Sequence, residues 1–339
     1  MDRFLSSKLA TLSTVLSNDH LVDIMNDTDG KLYWHKYFQM MPELRAATDR
    51  AESVFWTPAQ ITWNKDAEHF KYLPANEQHL IKSILAIFAT ADGIVNMNLL
   101  SRFLPCMTCS EARSFYLYQV HMEDVHARTY NDALSNYIPD VDERNLLLNA
   151  ITKIGVIADI GDICQQYTND AAIPFNVLNF MYAIVEGVIF SASFCIISYY
   201  KKRNNSLEGL CQSNDFIQRD ENMHRDFACI INRTIEAPLD EITAKDIMAA
   251  VIPKLEAFIR YILPQPVGEL SSASMIQHVQ SIADLLMRDF GFKPIYNSVS
   301  SFTWFTTQQL VSQTAFFERK TASYPTNVKQ SADIYIGDF

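Results

Sequence analysis

Apolar residues recur at helical spacing through most of this chain. Over residues 77–103 they form one stripe, made of Ile81, Ile84, Leu85, Phe88, Val95 and Leu99. Apolar positions three and four residues apart are typical of a helix with one buried face. The same spacing predicts helices from Pro42 onward, around Glu221, and over 113–137, 142–162, 178–200, 243–262, 269–290 and 302–320. The chain has 9 glycines, too few for many tight hairpins, so the pattern predicts an all-α fold.

Two local patterns make residue-level predictions. Within 142–162, the residues expected to be buried are Leu146, Ile151, Ile154 and Ile157. Before 113–137, Thr108 and Glu111 have the spacing of a capping box, in which two side chains satisfy free backbone N–H groups at a helix start. The segment 113–137 contains no Gly or Pro, and Pro139 ends its pattern.

Acidic residues lie on the apolar faces of four predicted helices. Two of these helices supply a single acid each. The other two supply an E-x-x-H pair each, which places a carboxylate and an imidazole on one face. The six residues are Asp92, Glu186, the pair Glu123 and His126, and the pair Glu221 and His224. Tyr130 follows His126 by four residues on the same face. Burying an unpaired carboxylate is very unfavourable, so these acids require partners.

The six residues are expected to bind two metal ions. Two ions of charge +2 balance the four carboxylates, so a helical core can hold these acids close to neutrality. Di-iron and di-manganese bundles use this arrangement, with an acid from each of two helices and E-x-x-H from each of two others. Carboxylate oxygen with imidazole nitrogen suits iron or manganese, and the lack of thiolates argues against structural zinc and iron–sulfur clusters. Surface acids and ordinary core histidines would need several coincidences of spacing to produce this pattern.

Composition limits the class of protein. The chain is 48% hydrophobic and carries a formal net charge of −11, which argues against a general nucleic-acid binder. Six cysteines and a start without an apolar signal region indicate a reducing cytosol. Cys106 and Cys109 form a single C-x-x-C, which we interpret as two free thiols rather than a zinc or redox site. The segment 178–200 is long enough to cross a membrane, but Glu186 at its centre favours a buried core helix.

Six motifs are more specific than the ligand spacing: F-W-T-P, A-T-A-D-G-I-V-N-M-N-L, E-A-R-S-F-Y, M-E-D-V-H-A-R-T-Y, V-E-G-V-I-F-S-A-S-F and I-Q-R-D-E-N-M-H-R-D-F-A. They resemble the small subunit of class I ribonucleotide reductase, in its eukaryotic and viral form. The resemblance covers roughly Ala51 to Tyr324. It implies a ferritin-like di-iron helical bundle with additional helices. Such a subunit makes a tyrosyl radical with oxygen and passes it to a large subunit, which reduces ribonucleotides to deoxyribonucleotides.

The resemblance also implies what the metal centre contains. The six acids and histidines would bind two iron ions per chain as a μ-oxo di-iron centre, with manganese as the alternative metal. Tyr130 would carry the radical. Its apolar pocket would be formed by Phe190, Phe194 and Ile217.

A route for radical transfer follows from the same resemblance. It would run between the large subunit and the metal through Tyr324, Trp56 and Asp220, with His126 as the joint to the metal. The residues themselves support one step of this route. Asp220 directly precedes Glu221, so its side chain points off the ligand face and can accept a hydrogen bond from a ligand imidazole.

The predicted organisation has three parts, a divergent N-terminal segment, the helical domain and a flexible tail, over residues 1–41, 42–320 and 321–339. The tail ends in I-Y-I-G-D-F, which is similar to the acidic, Phe-terminated peptide that docks this family on its large subunit. Tyr335, Ile336 and Phe339 are the expected contacts. The resemblance further implies a cytoplasmic homodimer without nucleic-acid or membrane partners.

Two other classes share E-x-x-H pairs. A soluble desaturase or oxygenase would not need Tyr130 or the tail. An iron-storage or ferroxidase protein is usually shorter and does not need Trp56 and Asp220. Tyr130 at its spacing, together with R-D-E-N-M-H, favours the reductase subunit.

Overall fold

The computed structural model describes residues 41–107, 109–168, 172–204 and 206–305. Six side chains within these ranges are outside the description: Thr90, Asp92, Ile94, Ile151, Thr152 and Asn204. The chain divides after Ser301 into two units, and 302–305 is the described part of the second. Predictions for 1–40 and 306–339 lie outside the described residues, and these include Tyr324, Tyr335, Ile336 and Phe339.

The described residues are mainly helical. The helices are α1 (Pro42–Glu52), α2 (Asp66–Tyr72), α3 (Ala75–Asn98), α4 (Leu104–Cys106), α5 (Ser110–Tyr137), α6 (Val141–Leu148), α7 (Ala150–Lys153), α8 (Gly155–Thr168), α9 (Phe175–Ile184), α10 (Ser191–Asn204), α11 (Glu208–Thr234), α12 (Glu241–Ile262) and α13 (Ser272–Asp289). Two π-helical segments, Leu99–Phe103 and Val185–Ile189, directly follow α3 and α9. In these ranges the sole β-type pairing is an isolated bridge between Val267 and Leu270. The predicted all-α fold is confirmed.

Helices α3, α5, α9 and α11 form the centre of the protein. Helix α3 packs along α5, α5 packs against α11, and α11 packs along α9. The apolar stripe predicted on α3 is buried, and its members include Ile81, Ile84, Leu85, Phe88, Val95 and Leu99. Burial of such stripes stabilises the bundle because it removes apolar surface from water. The four helices, with the π-helical segment after α9, carry all six predicted metal ligands.

The predicted helix over 142–162 is wrong as a single element. The Asp140 side chain accepts a hydrogen bond from the Glu143 backbone and starts α6 at Val141, but α6, α7 and α8 are separate helices. Each break changes the phase of the apolar face. Leu146 is therefore 46% exposed, contrary to the prediction, while its neighbour Leu147 is buried. Of the other predicted core positions, Ile157 is buried, Ile154 is half-buried, and the Ile151 side chain is outside the description.

The most apolar segment is a core helix with a change of winding. Residues 175–203 are long and apolar enough to span a membrane, but the most apolar 18 residues of this stretch are buried inside the protein. The prediction of a central core helix is confirmed. The segment is not one continuous α-helix, because it changes to π-helix at Val185–Ile189, which contains Glu186. Short π-helical segments within α-helices often occur at functional sites.

The start of α5 differs from the predicted capping box. Cys109 is the N-cap residue and makes no side-chain cap bond, which moves Glu111 out of the position that a capping box requires. The Glu111 carboxylate instead accepts hydrogen bonds from the Cys109 thiol and the Met41 backbone, both at 3.3 Å. Neither Cys106 nor Cys109 forms a disulfide within the described residues.

A buried carboxylate fixes the start of α11. Asp66 is fully buried and accepts hydrogen bonds from the backbone N–H groups of Gly209 at 3.0 Å and Leu210 at 2.9 Å. It also accepts one from the Tyr137 hydroxyl at 2.8 Å. An acceptor at a helix N-terminus satisfies backbone donors that have no partner within the helix. Asp66 therefore ties α11 to α2 and to the end of α5.

Candidate metal centre

Five of the six predicted ligands meet in the middle of the bundle. They come from α5, the π-helical segment after α9, and α11, and all five are buried: Glu123, His126, Glu186, Glu221 and His224. The sixth, Asp92, lies on α3, and its side chain is outside the description. The E-x-x-H spacing places the acid and the imidazole of each pair on one helix face, which brings both pairs to the same point.

The two imidazoles face the carboxylates through Nδ1. His224 Nδ1 lies 2.9 Å from Glu221 Oε2, 3.2 Å from Glu123 Oε1 and 3.7 Å from Glu186 Oε2. His126 Nδ1 lies 3.0 Å from Glu221 Oε1 and 3.5 Å from Glu123 Oε2. Candidate ligand atoms of the three glutamates and His224 all lie within 4.8 Å of one another. Glu221 and Glu123 therefore lie between the two histidines.

Several buried atoms in the cluster have no hydrogen-bond partner among the described residues. They are Glu123 Oε2, Glu186 Oε2, Glu221 Oε1 and His126 Nδ1. Buried polar atoms are almost always satisfied, so a group of unsatisfied acceptors at one point is typical of a cation-binding site. Carboxylate oxygens with imidazole nitrogens are the donor set that iron and manganese accept. These residues fit a dinuclear metal centre.

Burial and charge shift the pKa values in this cluster. Burial, together with repulsion from Glu221 and Glu123, raises the pKa of Glu186 well above its ordinary value. For Glu221, burial is outweighed by a hydrogen bond with Glu186 and by both imidazoles, so its pKa is lowered. Burial alone would lower the pKa values of His126 and His224, but attraction to the Glu221 carboxylate and contacts with the neighbouring acids raise both. Binding of a metal ion by these residues would displace their protons.

Asp220 connects a ligand histidine to a buried tryptophan. Its Oδ2 accepts a hydrogen bond from Trp56 Nε1 at 2.7 Å and lies 3.2 Å from His126 Nε2. The indole and imidazole rings stack with centroids 6.0 Å apart and an interplanar angle of 20°. Arg219 donates to the other oxygen, Oδ1, at 3.0 Å. The predicted hydrogen bond between Asp220 and a ligand imidazole is therefore present, and it leaves His126 Nδ1 facing the cluster.

Tyr130 lies in an aromatic pocket. Its ring stacks on Phe88 with centroids 4.7 Å apart and an interplanar angle of 7°. Phe190 and Phe194 each lie 5.2 Å from the Phe88 ring, and Ile217 is fully buried. Sequence reasoning placed Phe88 in the core but missed its contact with Tyr130. The sequence signal that could have identified this contact was the position of Phe88 on the α3 stripe, four residues before Asp92.

Gln119 and Tyr182 were also missed, although each precedes a predicted ligand by four residues. Gln119 Nε2 lies 2.6 Å from the Tyr182 hydroxyl, 3.4 Å from Glu123 Oε1 and 3.5 Å from Glu186 Oε1. Both side chains are buried. The helical spacing that identified the E-x-x-H pairs would have found them had it been extended by one turn.

The comparisons with known proteins agree on one family. The family model for the small chain of ribonucleotide reductase matches residues 36–301. The ribonucleoside-diphosphate reductase small chain of Plasmodium falciparum (isolate Dd2) is 36% identical over 285 residues, covering 84% of this chain and 81% of that protein. The small chain of vaccinia virus (strain Western Reserve) is 34% identical over 275 residues, covering 81% of this chain and 86% of that protein.

Solved structures have the same fold. The homodimer of the ribonucleotide reductase protein Rnr4 from Saccharomyces cerevisiae matches with a TM-score of 0.70 at 22% identity, covering 80% of this chain and 87% of that one. The dimanganese(II) NrdF protein of Streptococcus sanguinis matches with a TM-score of 0.67 at 14% identity, covering 77% and 92%. The family match decides against a desaturase, an oxygenase and an iron-storage protein. The chain belongs to the ribonucleotide reductase small-chain family and is the small subunit of a ribonucleoside-diphosphate reductase.

Proposed function

We propose that this subunit forms a radical on Tyr130 with a di-iron centre and passes it to a large subunit that reduces ribonucleoside diphosphates. The observation that carries the proposal is the buried cluster of unsatisfied carboxylate and imidazole atoms. Glu123 and His126 lie on the same helix as Tyr130, and Glu221 and His224 lie on the same helix as Asp220. An iron-storage function would not require the hydrogen bond that joins Asp220 to Trp56.

The metal ligands in this proposal are Asp92, Glu123, His126, Glu186, Glu221 and His224. Two bound iron ions would supply electrons to oxygen and the oxidising equivalent that removes one electron from Tyr130. The donor set suits manganese as well. Iron-loaded and manganese-loaded protein, compared for radical yield, identify the active metal.

Tyr130 has to lose a proton with its electron, because a phenol with a pKa near 10 is protonated at neutral pH. Its surroundings favour a long-lived radical. The ring is 3% exposed and lies against Phe88, with Phe190 and Phe194 behind it. These aromatic walls exclude water and other reductants from the phenol.

Radical transfer would use His126, Asp220 and Trp56. Asp220 Oδ2 is shared by His126 Nε2 and Trp56 Nε1, so one carboxylate oxygen joins the metal ligand to the indole. This arrangement allows a proton to move along the hydrogen bonds as an electron leaves Trp56. Tyr324 would continue the route towards the large subunit; it lies outside the described residues.

The partner in this proposal is the large subunit, and the docking segment is the C-terminal tail. Tyr335, Ile336 and Phe339, with two nearby aspartates, form a short amphipathic peptide. A segment that orders on binding loses conformational entropy and binds modestly, which suits a subunit that must engage and release. Deleting Ile334 to Phe339 should leave iron and radical intact and abolish turnover, and a peptide of those residues should inhibit the intact pair. Full turnover after the deletion would contradict this assignment.

We also infer that the subunit pairs with a second copy of itself. Met97, Leu100 and Leu117 are 65%, 50% and 54% exposed. They lie on α3, the π-helical segment after it and α5, which pack together. Leu117→Lys should shift the protein towards monomer in sedimentation velocity. Ile242→Lys, a matched change at a 75% exposed residue on α12, should leave the dimer unchanged. A Leu117→Lys variant that remains dimeric would refute the assignment of this face to the dimer interface.

The protein is expected to work in the cytoplasm, since none of its six cysteines forms a disulfide within the described ranges.

The proposed activity is tested with the full-length protein. Metal-free protein is loaded with Fe(II) in the presence of oxygen, mixed with the large subunit of the same organism and a dithiol reductant, and assayed for reduction of a ribonucleoside diphosphate. We expect deoxynucleotide only when iron, oxygen and both subunits are present. An active large subunit that gives no product with the loaded chain would refute the proposal.

A further inference from the structure

Tyr182 is a buried phenol on the ligand side of α9. It precedes Glu186 by four residues, while Gln119 precedes Glu123 by four residues on α5. Residues four apart share a helix face, so both polar side chains point towards the metal cluster. Tyr182 is 3% exposed and Gln119 is 1% exposed. Polar groups this deeply buried are costly unless they are hydrogen-bonded.

The Gln119 amide bridges two ligand carboxylates, and the Tyr182 hydroxyl holds that amide. Gln119 Nε2 lies 2.6 Å from the Tyr182 hydroxyl, and the same nitrogen is 3.4 Å from Glu123 Oε1 and 3.5 Å from Glu186 Oε1. The phenol oxygen accepts a hydrogen bond from the Gln119 amide and so fixes the position of the nitrogen that faces both carboxylates.

The orientation of the Gln119 amide follows from these neighbours. A carboxylate oxygen only accepts hydrogen bonds, so the NH₂ group must face Glu123 and Glu186. The reverse orientation would place the amide oxygen against two acids. The amide, held by the phenol, therefore faces Oε1 of each carboxylate. The other oxygen of each, Oε2, has no hydrogen-bond partner in the part of the chain that the structure describes and remains for a metal ion.

We propose that Tyr182 is a positioning residue of the metal centre, which with Gln119 holds Oε1 of Glu186 and Glu123 so that Oε2 of each binds metal. This proposal rests on the proposed metal centre and adds two residues to it. A carboxylate can bind a metal ion through one oxygen or two. Holding one oxygen in a hydrogen bond restricts Glu186 to a single coordination mode. Groups that orient metal ligands in this way typically contribute 10- to 100-fold to metal affinity.

Tyr116 offers a matched control. It is a buried tyrosine, 1% exposed, on the same helix as Gln119, and its hydroxyl has no hydrogen-bond partner among the described residues. Its ring packs edge-on against Phe103 and Phe227 rather than against a ligand. Tyr116→Phe and Tyr182→Phe thus remove the same atom from the same core, but only Tyr182→Phe removes the hydrogen-bond partner of Gln119.

Cobalt(II) tests the proposal, because its visible absorption reports coordination number and geometry. Metal-free full-length protein is titrated with cobalt(II), and the melting temperature of each metal-free variant is measured alongside. In Tyr182→Phe we expect about 10- to 100-fold weaker binding of at least one ion and a changed visible spectrum. In Tyr116→Phe we expect the affinity and the spectrum of the unsubstituted protein.

A second variant separates positioning from folding. Gln119→Leu should weaken cobalt(II) binding as Tyr182→Phe does. In the double variant, the loss of cobalt(II) affinity should be smaller than the product of the two single losses. The reason is that the two residues act through one hydrogen-bonded chain. Equal affinity and spectrum in Tyr182→Phe and Tyr116→Phe would overturn this proposal alone. An unsubstituted protein that bound no cobalt(II) would overturn the metal centre and this proposal together.

Discussion

Replacing Asp220 tests whether radical storage and radical transfer use different residues. The Asp220 carboxylate is 2% exposed, and its Oδ2 is the acceptor for Trp56 Nε1 and His126 Nε2. Asp220→Ala leaves both donors buried without an acceptor. An unsatisfied buried donor costs about 1–3 kcal/mol, so the free energy of unfolding should fall by about 2–6 kcal/mol. The variant remains folded only if the parent protein is more stable than this loss.

Asp220→Asn is the milder change. An amide oxygen in the place of Oδ2 can still accept from Trp56 and His126, while the amide NH₂ then faces the Arg219 guanidinium, which donates to Oδ1. The loss of stability should therefore be smaller than in Asp220→Ala. Because the carboxylate charge is gone, the amide cannot take up a proton as Trp56 is oxidised.

The assay measures three quantities on the same sample: bound iron, radical by electron paramagnetic resonance, and nucleotide reduction with the large subunit. Iron is supplied in excess, because loss of a group that holds a ligand histidine weakens metal binding about 10- to 100-fold. Both Asp220 variants and Trp56→Phe should contain iron and the Tyr130 radical, while turnover falls by about 10- to 100-fold.

Trp63→Phe is the control for the tryptophan change. Trp63 is half-buried and lies edge-on to Tyr137, 6.2 Å between ring centroids, away from Asp220. The Trp63→Phe variant should reduce nucleotides at the rate of the unsubstituted protein. Normal turnover in Asp220→Ala or in Trp56→Phe would remove that residue from the transfer route and refute the reasoning.

Three further predictions concern the surroundings of the centre. Asp66→Ala leaves three buried donors without an acceptor and should lower the free energy of unfolding by at least about 3 kcal/mol. An unchanged midpoint in urea unfolding would show that Asp66 does not fix α11. Burial lowers the pKa of His278 from 6.5 to about 4, so the unfolded chain binds a proton that the folded chain does not. Stability should therefore fall as pH drops from 6.5 towards 4, by about 3 kcal/mol, and His278→Gln should flatten that part of the profile measured by thermal unfolding. Phe88→Leu opens the aromatic wall of Tyr130 and should shorten the radical half-life without loss of iron, so an unchanged half-life would exclude Phe88 as a shield.

The sequence predicts the metal cluster because its geometry is local. Two residues three apart on a helix share a face whatever the rest of the fold does. The Glu221 and His224 pair therefore meets the Glu123 and His126 pair as soon as their helices pack on their apolar stripes. Asp220 was predictable for the same reason, since its neighbour Glu221 fixes the direction in which it points.

Contacts between distant segments could not be found in this way. Trp56 donates to Asp220 across 164 positions of sequence, and no local pattern marks it. The change to π-helix at Val185–Ile189 was hidden because that segment is apolar on every side, so one extra residue per turn leaves no trace in its periodicity. Leu146 was misplaced because two helix breaks between 148 and 155 reset the phase of the stripe.

The central claim is that this chain holds two iron ions beside Tyr130 and oxidises that residue. The most direct measurement is an electron paramagnetic resonance spectrum of metal-free full-length protein after addition of Fe(II) and oxygen, with bound iron counted in the same sample. The unsubstituted chain should contain about two iron ions and show an organic radical. Tyr130→Phe should contain the same iron and show no radical. A radical that persists in Tyr130→Phe, or an unsubstituted chain that binds iron without forming one, would contradict the account.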